Sequence, residues 1–240
     1  MEGVTTAPIH IDLEGTVNTR DLGGWPIHDG QVTRLGRVWR SDAFTRATPA
    51  DREALSGYGV RTVIDLRTTA ERREEPHPLE DDDRFEVVHV DLFAPVLAAF
   101  MRGEVSDDPF DLTTHYRASF ALARDAYAQV FRQITAALDS HDGPVVVHCT
   151  AGKDRTGLVT ALLLRGAGVA DAVIARDYAI THERIAPLRP RLLADGVAKG
   201  FPAELYDRML EARPETLRAV LPEVDDALTA SADEAARRLT

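Results

Sequence analysis

The chain has 240 residues and a single cysteine, Cys149, with an arginine, Arg155, beyond five intervening residues. The full stretch reads His148-Cys149-Thr150-Ala151-Gly152-Lys153-Asp154-Arg155-Thr156-Gly157. That spacing lets a loop close around a tetrahedral oxyanion. The backbone N–H groups of Thr150, Ala151, Gly152, Lys153, Asp154 and Arg155 can turn inward toward phosphate oxygens, and the guanidinium can complete the ring with two parallel charge-assisted bonds. The sulfur then lies beneath the phosphorus for in-line attack. Thr156 can donate its hydroxyl to the departing thiolate, and His148 reads as a hydrogen-bonding orienter of the loop. A buried structural cysteine at a helix start is the bland alternative. It would leave the Gly, Arg, Thr and Gly positions as coincidences.

The flanks of the loop supply the elements that must position it. Pro144 to Val147 is an apolar β-branched run and reads as a buried strand. Leu158 to Leu164 is apolar all round and reads as a central helix that stops near Gly166 and Gly168. An anion at the N-terminus of that helix meets free N–H groups and the positive end of the macrodipole, and the same field is expected to hold Cys149 as thiolate. Elsewhere, strands are expected over 37–40, 61–66 and 85–90. Helices are expected from Thr48, with Thr as N-cap and Pro49 at its first position, over 70–75, and over 116–138. Strands alternating with helices predict an α/β fold with a mainly parallel central sheet flanked by helices, and ligands at the strand C-terminal ends.

The His-Cys-x5-Arg-Thr-Gly loop resembles the signature of the cysteine-dependent tyrosine and dual-specificity phosphatases. Its Gly-Lys-Asp-Arg-Thr form is similar to a bacterial branch with lipid-phosphatase-like loops. Asn18 to Gly24, Trp39 to Asp42 and Val63 to Arg67 are similar to further segments of that branch, in the same order along the chain. The resemblance implies a phosphatase fold and a phosphocysteine mechanism. One phosphatase domain over 1–240 is expected, with residues 92–114 as a lid or insertion and 171–240 as a helical C-terminal part. Residues 92–114 read equally well as a packed surface helix plus loop.

Proton donation to the leaving group needs a general acid. Trp25-Pro26-Ile27-His28-Asp29 has the look of a tyrosine-phosphatase acid loop, but it falls at the wrong end of the chain. Asp154 ranks first, because lipid phosphatases of this resemblance carry an acid candidate at that loop position. Asp65 ranks second, at a strand end where catalytic groups collect, with an ion pair to Arg67 or Arg20 as the equal alternative. Asp91 ranks third, at the position dual-specificity enzymes use. Lys153 reads either as a fixed cation for a second phosphate or as a solvated surface lysine. Arg20 and Asp21 read as buried braces of the loop.

Composition narrows the function classes. Net charge is −11, which argues against a nucleic-acid binder and against general attraction to anionic membranes. A lone cysteine excludes an internal disulfide framework and fits a reducing compartment, so a cytoplasmic location is expected, with non-standard secretion left open. No apolar run is long enough to span a membrane. The other seven histidines show no metal-ligand spacing, so no metal or cofactor is expected. The expected activity is hydrolysis of phosphotyrosine in proteins, extending to phosphoserine and phosphothreonine. The partners would be a phosphorylated protein or phosphoinositide, with inorganic phosphate or another oxyanion in the loop. A phosphoinositide phosphatase is the alternative substrate class. A rhodanese-like sulfurtransferase and a phosphate-binding pseudoenzyme are the readings from other classes.

Overall fold

A computed structural model describes residues 8–105, 108 and 111–240. Five strands form one sheet: β1 (Arg20–Asp21), β2 (Val38–Ser41), β3 (Thr62–Asp65), β4 (Glu86–His89) and β5 (Val145–His148). Their spatial order is β1-β2-β5-β3-β4, antiparallel only between β1 and β2. β5 lies at the centre, where its apolar β-branched residues are buried on both faces. The period of two divides them: Val145 and Val147 join the larger core, and Val146 joins Trp39, Val63, Phe44 and Leu55 in the smaller one. The expected α/β sheet is therefore present.

On the larger-core face, α5 (Arg124–Ser140) and α6 (Asp154–Gly166) pack against the sheet, and α11 (Asp226–Ala236) packs over both. On the other face, α1 (Pro49–Gly57) begins in the expected way. Thr48 caps it, Asp51 completes a reciprocal capping box, and Pro49 occupies the first turn. A second capping box, Thr68 with Glu71, opens α2 (Thr69–Glu74).

The single helix expected over 116–138 is two helices, α4 (Leu112–Leu122) and α5. Ala123, at φ −103° and ψ 21°, leaves the helical region between them. The predicted face is nonetheless buried throughout, from Tyr116 and Phe120 to Ile134 and Leu138. Ser119 Oγ and Tyr127 OH hydrogen-bond across the break at 2.9 Å, so the bend keeps both halves on one core.

Residues 92–105 contain α3 (Ala94–Met101), which packs on α4 with Val96 and Ala99 buried. The acidic turn expected in this stretch falls partly on residues 106, 107, 109 and 110, outside the described residues. Beyond α6 come α7 (Asp171–Arg184), α8 (Arg189–Ala198), α9 (Ala203–Met209), α10 (Pro214–Val220) and α11. Pro190 and Pro214 sit in the first turns of α8 and α10, and Pro202 caps α9. These prolines start helices rather than break them.

Candidate active site

The Cys149–Arg155 loop leaves the C-terminal end of β5, between the ends of β2 and β3. The register sets Ser41 and Asp65 on either side of His148. Cys149 is buried. The carbonyls of the loop are tied outward. Thr150 O accepts from Ala43 N at 3.1 Å, Ala151 O from Asn18 Nδ2 at 3.0 Å, and Gly152 O from Arg40 at 2.7 Å. In a trans peptide the next N–H points opposite to the carbonyl. The amides of Ala151, Gly152 and Lys153 therefore face the loop interior. No hydrogen bond joins the N–H groups of residues 150–155 to the described residues. Gly152 makes this path passable: its φ is +66°, and a Cβ there would stand 2.4 Å from Ser41 O.

A buried ionic brace holds the back of the loop. Asp177 receives Arg20 Nε at 3.1 Å and Arg40 NH1 at 2.5 Å, and Thr181 Oγ1 accepts from Arg20 at 3.0 Å. Arg20 also bonds Asn18, whose amide holds the loop, so Arg20 and Arg40 both reach the loop carbonyls, one of them indirectly. Asp21 does not. It accepts from Gly23 N, Gly36 N and Trp39 Nε1, and so braces the Gly-Gly turn instead of the loop.

Arg155 meets a partner that sequence reasoning missed. Its NH1 and NH2 reach Glu71 Oε2 and Oε1 at 2.6 and 2.8 Å, and Thr150 Oγ1 donates to the same carboxylate at 2.5 Å. The Arg155 fork and hydrogen bonds hold the Glu71 carboxyl well below the usual carboxylate range despite burial, and Glu71 raises Arg155 in turn. The Thr68-x-x-Glu71 capping pattern was visible in the sequence, but it signals only a helix start.

Beside Arg155, a cavity of about 190 Å³ is lined mainly by Phe93, Leu112, Tyr116, Leu158 and Met209, with Asp154 in its wall. Tyr116 OH donates to Asp154 Oδ1 and lies 2.7 Å from Tyr178 OH. Burial, followed by the Asp154 charge, pushes the Tyr116 hydroxyl well above its usual range, so it stays a donor. Two residues near the ends of the 92–114 stretch, Phe93 and Leu112, contribute to one wall of the cavity. The opposite wall comes from the end of α9.

The model of the "Tyrosine phosphatase family" matches residues 11–232, nearly the whole chain. The chain belongs to the tyrosine phosphatase family. It is similar to a tyrosine-protein phosphatase of Nostoc commune, 39% identical over 147 residues, covering 59% of this chain and 49% of that protein. The chain thus spans about half the length of that relative. It is also similar to the triple specificity protein phosphatase PtpB of Mycobacterium tuberculosis, 31% identical, covering 90% of this chain and 88% of that one. A provisionally named tyrosine-protein phosphatase of Cupriavidus necator is 32% identical over 87% of this chain and 76% of its own length.

Other predicted residues of this phosphatase-family hydrolase take less expected places. Lys153 is neither solvated nor free for a second phosphate. It is buried, its ammonium donates to the Met209 and Glu211 carbonyls, and it stands 3.3 Å from Asp154. Asp65 is sealed from solvent and forked by Arg67 at 2.8–3.1 Å, with Arg72 Nε at 3.4 Å. Against the opposing effect of burial, the charge and hydrogen bonds of the Arg67 fork hold its carboxyl far below the usual range. The fork is the Arg67 ion pair, the alternative reading of Asp65, and it favours a charged carboxylate over a proton donor. Asp91 accepts from Phe93 N, Ala94 N and Thr69 N, joining the starts of α3 and α2. Thr156 is fully buried, and its hydroxyl has no hydrogen-bond partner among the described residues, Cys149 included.

His148 lies against His77, a residue no sequence signal had marked, with Asp65 nearby; the three groups lie within 4.8 Å of one another. Arg67 occupies both oxygens of Asp65 and adds a fixed positive charge, so this donor set fits a divalent cation poorly. Among the described residues, no helix is long and apolar enough to cross a membrane.

Proposed function

We propose that this chain hydrolyses phosphotyrosine in proteins through a phosphocysteine at Cys149. The inward-facing amides of Ala151, Gly152 and Lys153 carry the reading: unpaired N–H groups converging at a helix N-terminus make an anion site that neutral ligands would not satisfy. An aryl phosphate docks its phosphoryl group there, and the ring enters the apolar cavity beside Asp154. Cys149 attacks phosphorus. Arg155 and the amides hold the equatorial oxygens as charge develops. Asp154 protonates the phenolic oxygen, and in the second step takes a proton from the water that hydrolyses the thiophosphate. Thr156 donates its hydroxyl to the leaving sulfur.

The engaged ammonium of Lys153 favours a protein substrate over a phosphoinositide, because it is not left facing a second phosphate. The triple-specificity name of the mycobacterial relative supports extension to phosphoserine and phosphothreonine. One phosphatase domain carries the reaction, with Phe93 and Leu112 on one side of the cavity and Met209 of the helical C-terminal part on the other. Turnover of phosphotyrosine, phosphoserine and phosphothreonine peptides beside mono- and poly-phosphoinositides tests the substrate class. Faster turnover of the inositides than of every peptide would overturn it, and turnover of thiosulfate without p-nitrophenyl phosphate would overturn the reaction itself.

A further inference from the structure

His77 is buried and takes no part in the chemistry above. An apolar side chain could fill its place against Phe44, whose ring centroid lies 5.8 Å away. Its nitrogens do something more specific. Leu79 N donates to His77 Nδ1 at 3.3 Å, His77 Nε2 lies 3.0 Å from His148 Nε2, and His148 Nδ1 lies 3.1 Å from Cys149 O.

One proton assignment satisfies all three contacts. His77 Nδ1 accepts from a backbone N–H, so His77 carries its proton on Nε2 and donates it to His148 Nε2. His148 must then carry its own proton on Nδ1 and donate it to the Cys149 carbonyl. The reverse assignment would set two protons against each other at Leu79 and two lone pairs against each other at Cys149. Burial pushes His77 down to about 2 and lowers His148 as well, so both rings stay neutral and the direction of the chain does not change across the working pH range.

We propose that His77 is a positioning residue that fixes the tautomer of His148 and, through it, the peptide that follows Cys149. The competing tautomer has a clear attraction: Asp65 Oδ1 stands 3.8 Å from His148 Nε2 and would draw a proton to that nitrogen. The proton donated by His77 fills that position first. Held this way, His148 pins the Cys149 carbonyl outward. Because the peptide is trans, Thr150 N–H then points into the loop interior. His77 thereby sets the first of the amides that face the oxyanion, from the far side of the sheet's end. This assignment rests on the reading of Cys149 as nucleophile and adds to it a remote determinant of the loop.

Nitrogen-15 NMR of the labelled wild-type enzyme reads the tautomers directly. The expected result is a neutral His148 protonated at Nδ1 and a neutral His77 protonated at Nε2. Protonation of His148 at Nε2 in the wild type would overturn the proposal, and this measurement stands even if variants fail to fold. His77→Leu removes the donor while keeping an apolar fill. It is expected to move the His148 proton to Nε2 and to lower kcat/KM for p-nitrophenyl phosphate about tenfold, a displaced donor costing less than a deleted one. His77→Gln can still donate and is expected to keep the Nδ1 tautomer and most of the activity. A Leu variant with wild-type kcat/KM and an unchanged tautomer would overturn the proposal. Cys149→Ser is measured alongside: a Ser variant that turns over at the wild-type rate sinks the nucleophile assignment, whereas an inactive one confines any failure to the histidine relay.

Discussion

Glu71 and Arg155 face each other fork to fork, with both carboxylate oxygens bonded to the two terminal guanidinium nitrogens at 2.6 and 2.8 Å. Glu71 lies in the first turn of α2 and Arg155 in the first turn of α6, so two helix starts on neighbouring strand ends are clamped together. The pair takes up the terminal edge of the guanidinium. Nε makes no hydrogen bond to the described residues, and that edge faces the work of holding an oxyanion.

Glu71→Gln keeps the shape of the clamp and removes its charge. It is expected to lower kcat/KM for p-nitrophenyl phosphate by about tenfold or more, because Arg155 loses the partner that aims it. The depressed Glu71 carboxyl contributes stability that is fully present above the ordinary carboxylate range and is lost only as pH falls below it. Acid melts of the variant and wild type should therefore converge at low pH and differ near neutrality. Equal kcat/KM in the two proteins would remove the aiming role.

Asp154→Asn separates leaving groups. A phenyl phosphate, whose leaving oxygen needs a proton, should slow more than p-nitrophenyl phosphate, and the fall in rate on the basic side of the pH profile should flatten. If Asp91→Asn shows that pattern and Asp154→Asn does not, the acid lies at the β4 end.

Asp42 predicts a pH dependence of stability. Burial raises its carboxyl from 3.8 to about 6, against the N–H groups of Asn18 and Val17 that its Oδ1 accepts. Between those values the native state binds more protons than the unfolded chain, so stability falls as pH rises from about 4 to 6, by about 3 kcal/mol in all. Both N–H groups go to one oxygen, which an amide can replace. Asp42→Asn should remove this slope in urea titrations across pH 4–8 and be the more stable protein at pH 7. A variant that is less stable at pH 7 would contradict the assignment.

Asp177→Ala leaves Arg20 and Arg40 buried without their shared counter-charge. The expected cost is about 3–5 kcal/mol in urea unfolding, the range for one partner lost from a buried ion pair. A loss below about 1 kcal/mol, as for an exposed pair, would mean the brace is not held as the structure has it.

The strands β2 to β5, the α6 start and the α1 cap were legible because each rests on local chemistry: a β-branched run, a glycine followed by an apolar helix, a Thr-Pro cap; the two-residue β1 carries no such signal and was not. The break at Ala123 was not, since no proline or glycine marks it and both halves continue the same apolar face. The loop itself was plain from seven residues in a row. Its supports were hidden, because they come from far along the chain: Glu71 from a capping box, Asp177 from an unmarked helix, His77 from a turn between two prolines. Lys153 was misread because its burial is supplied by carbonyls at Met209 and Glu211, more than fifty residues later. Asp65 and Arg67 are near enough in sequence for their pairing to be anticipated, but not its complete burial, which sequence does not reveal.

The phosphocysteine can be observed directly. Wild-type enzyme mixed with excess p-nitrophenyl phosphate, quenched in acid and digested, should yield the peptide containing Cys149 with one added phosphoryl group, and Cys149→Ser should yield none and should not turn over. A phosphoryl group on any other residue, or sustained turnover by the Ser variant, would contradict attack by Cys149.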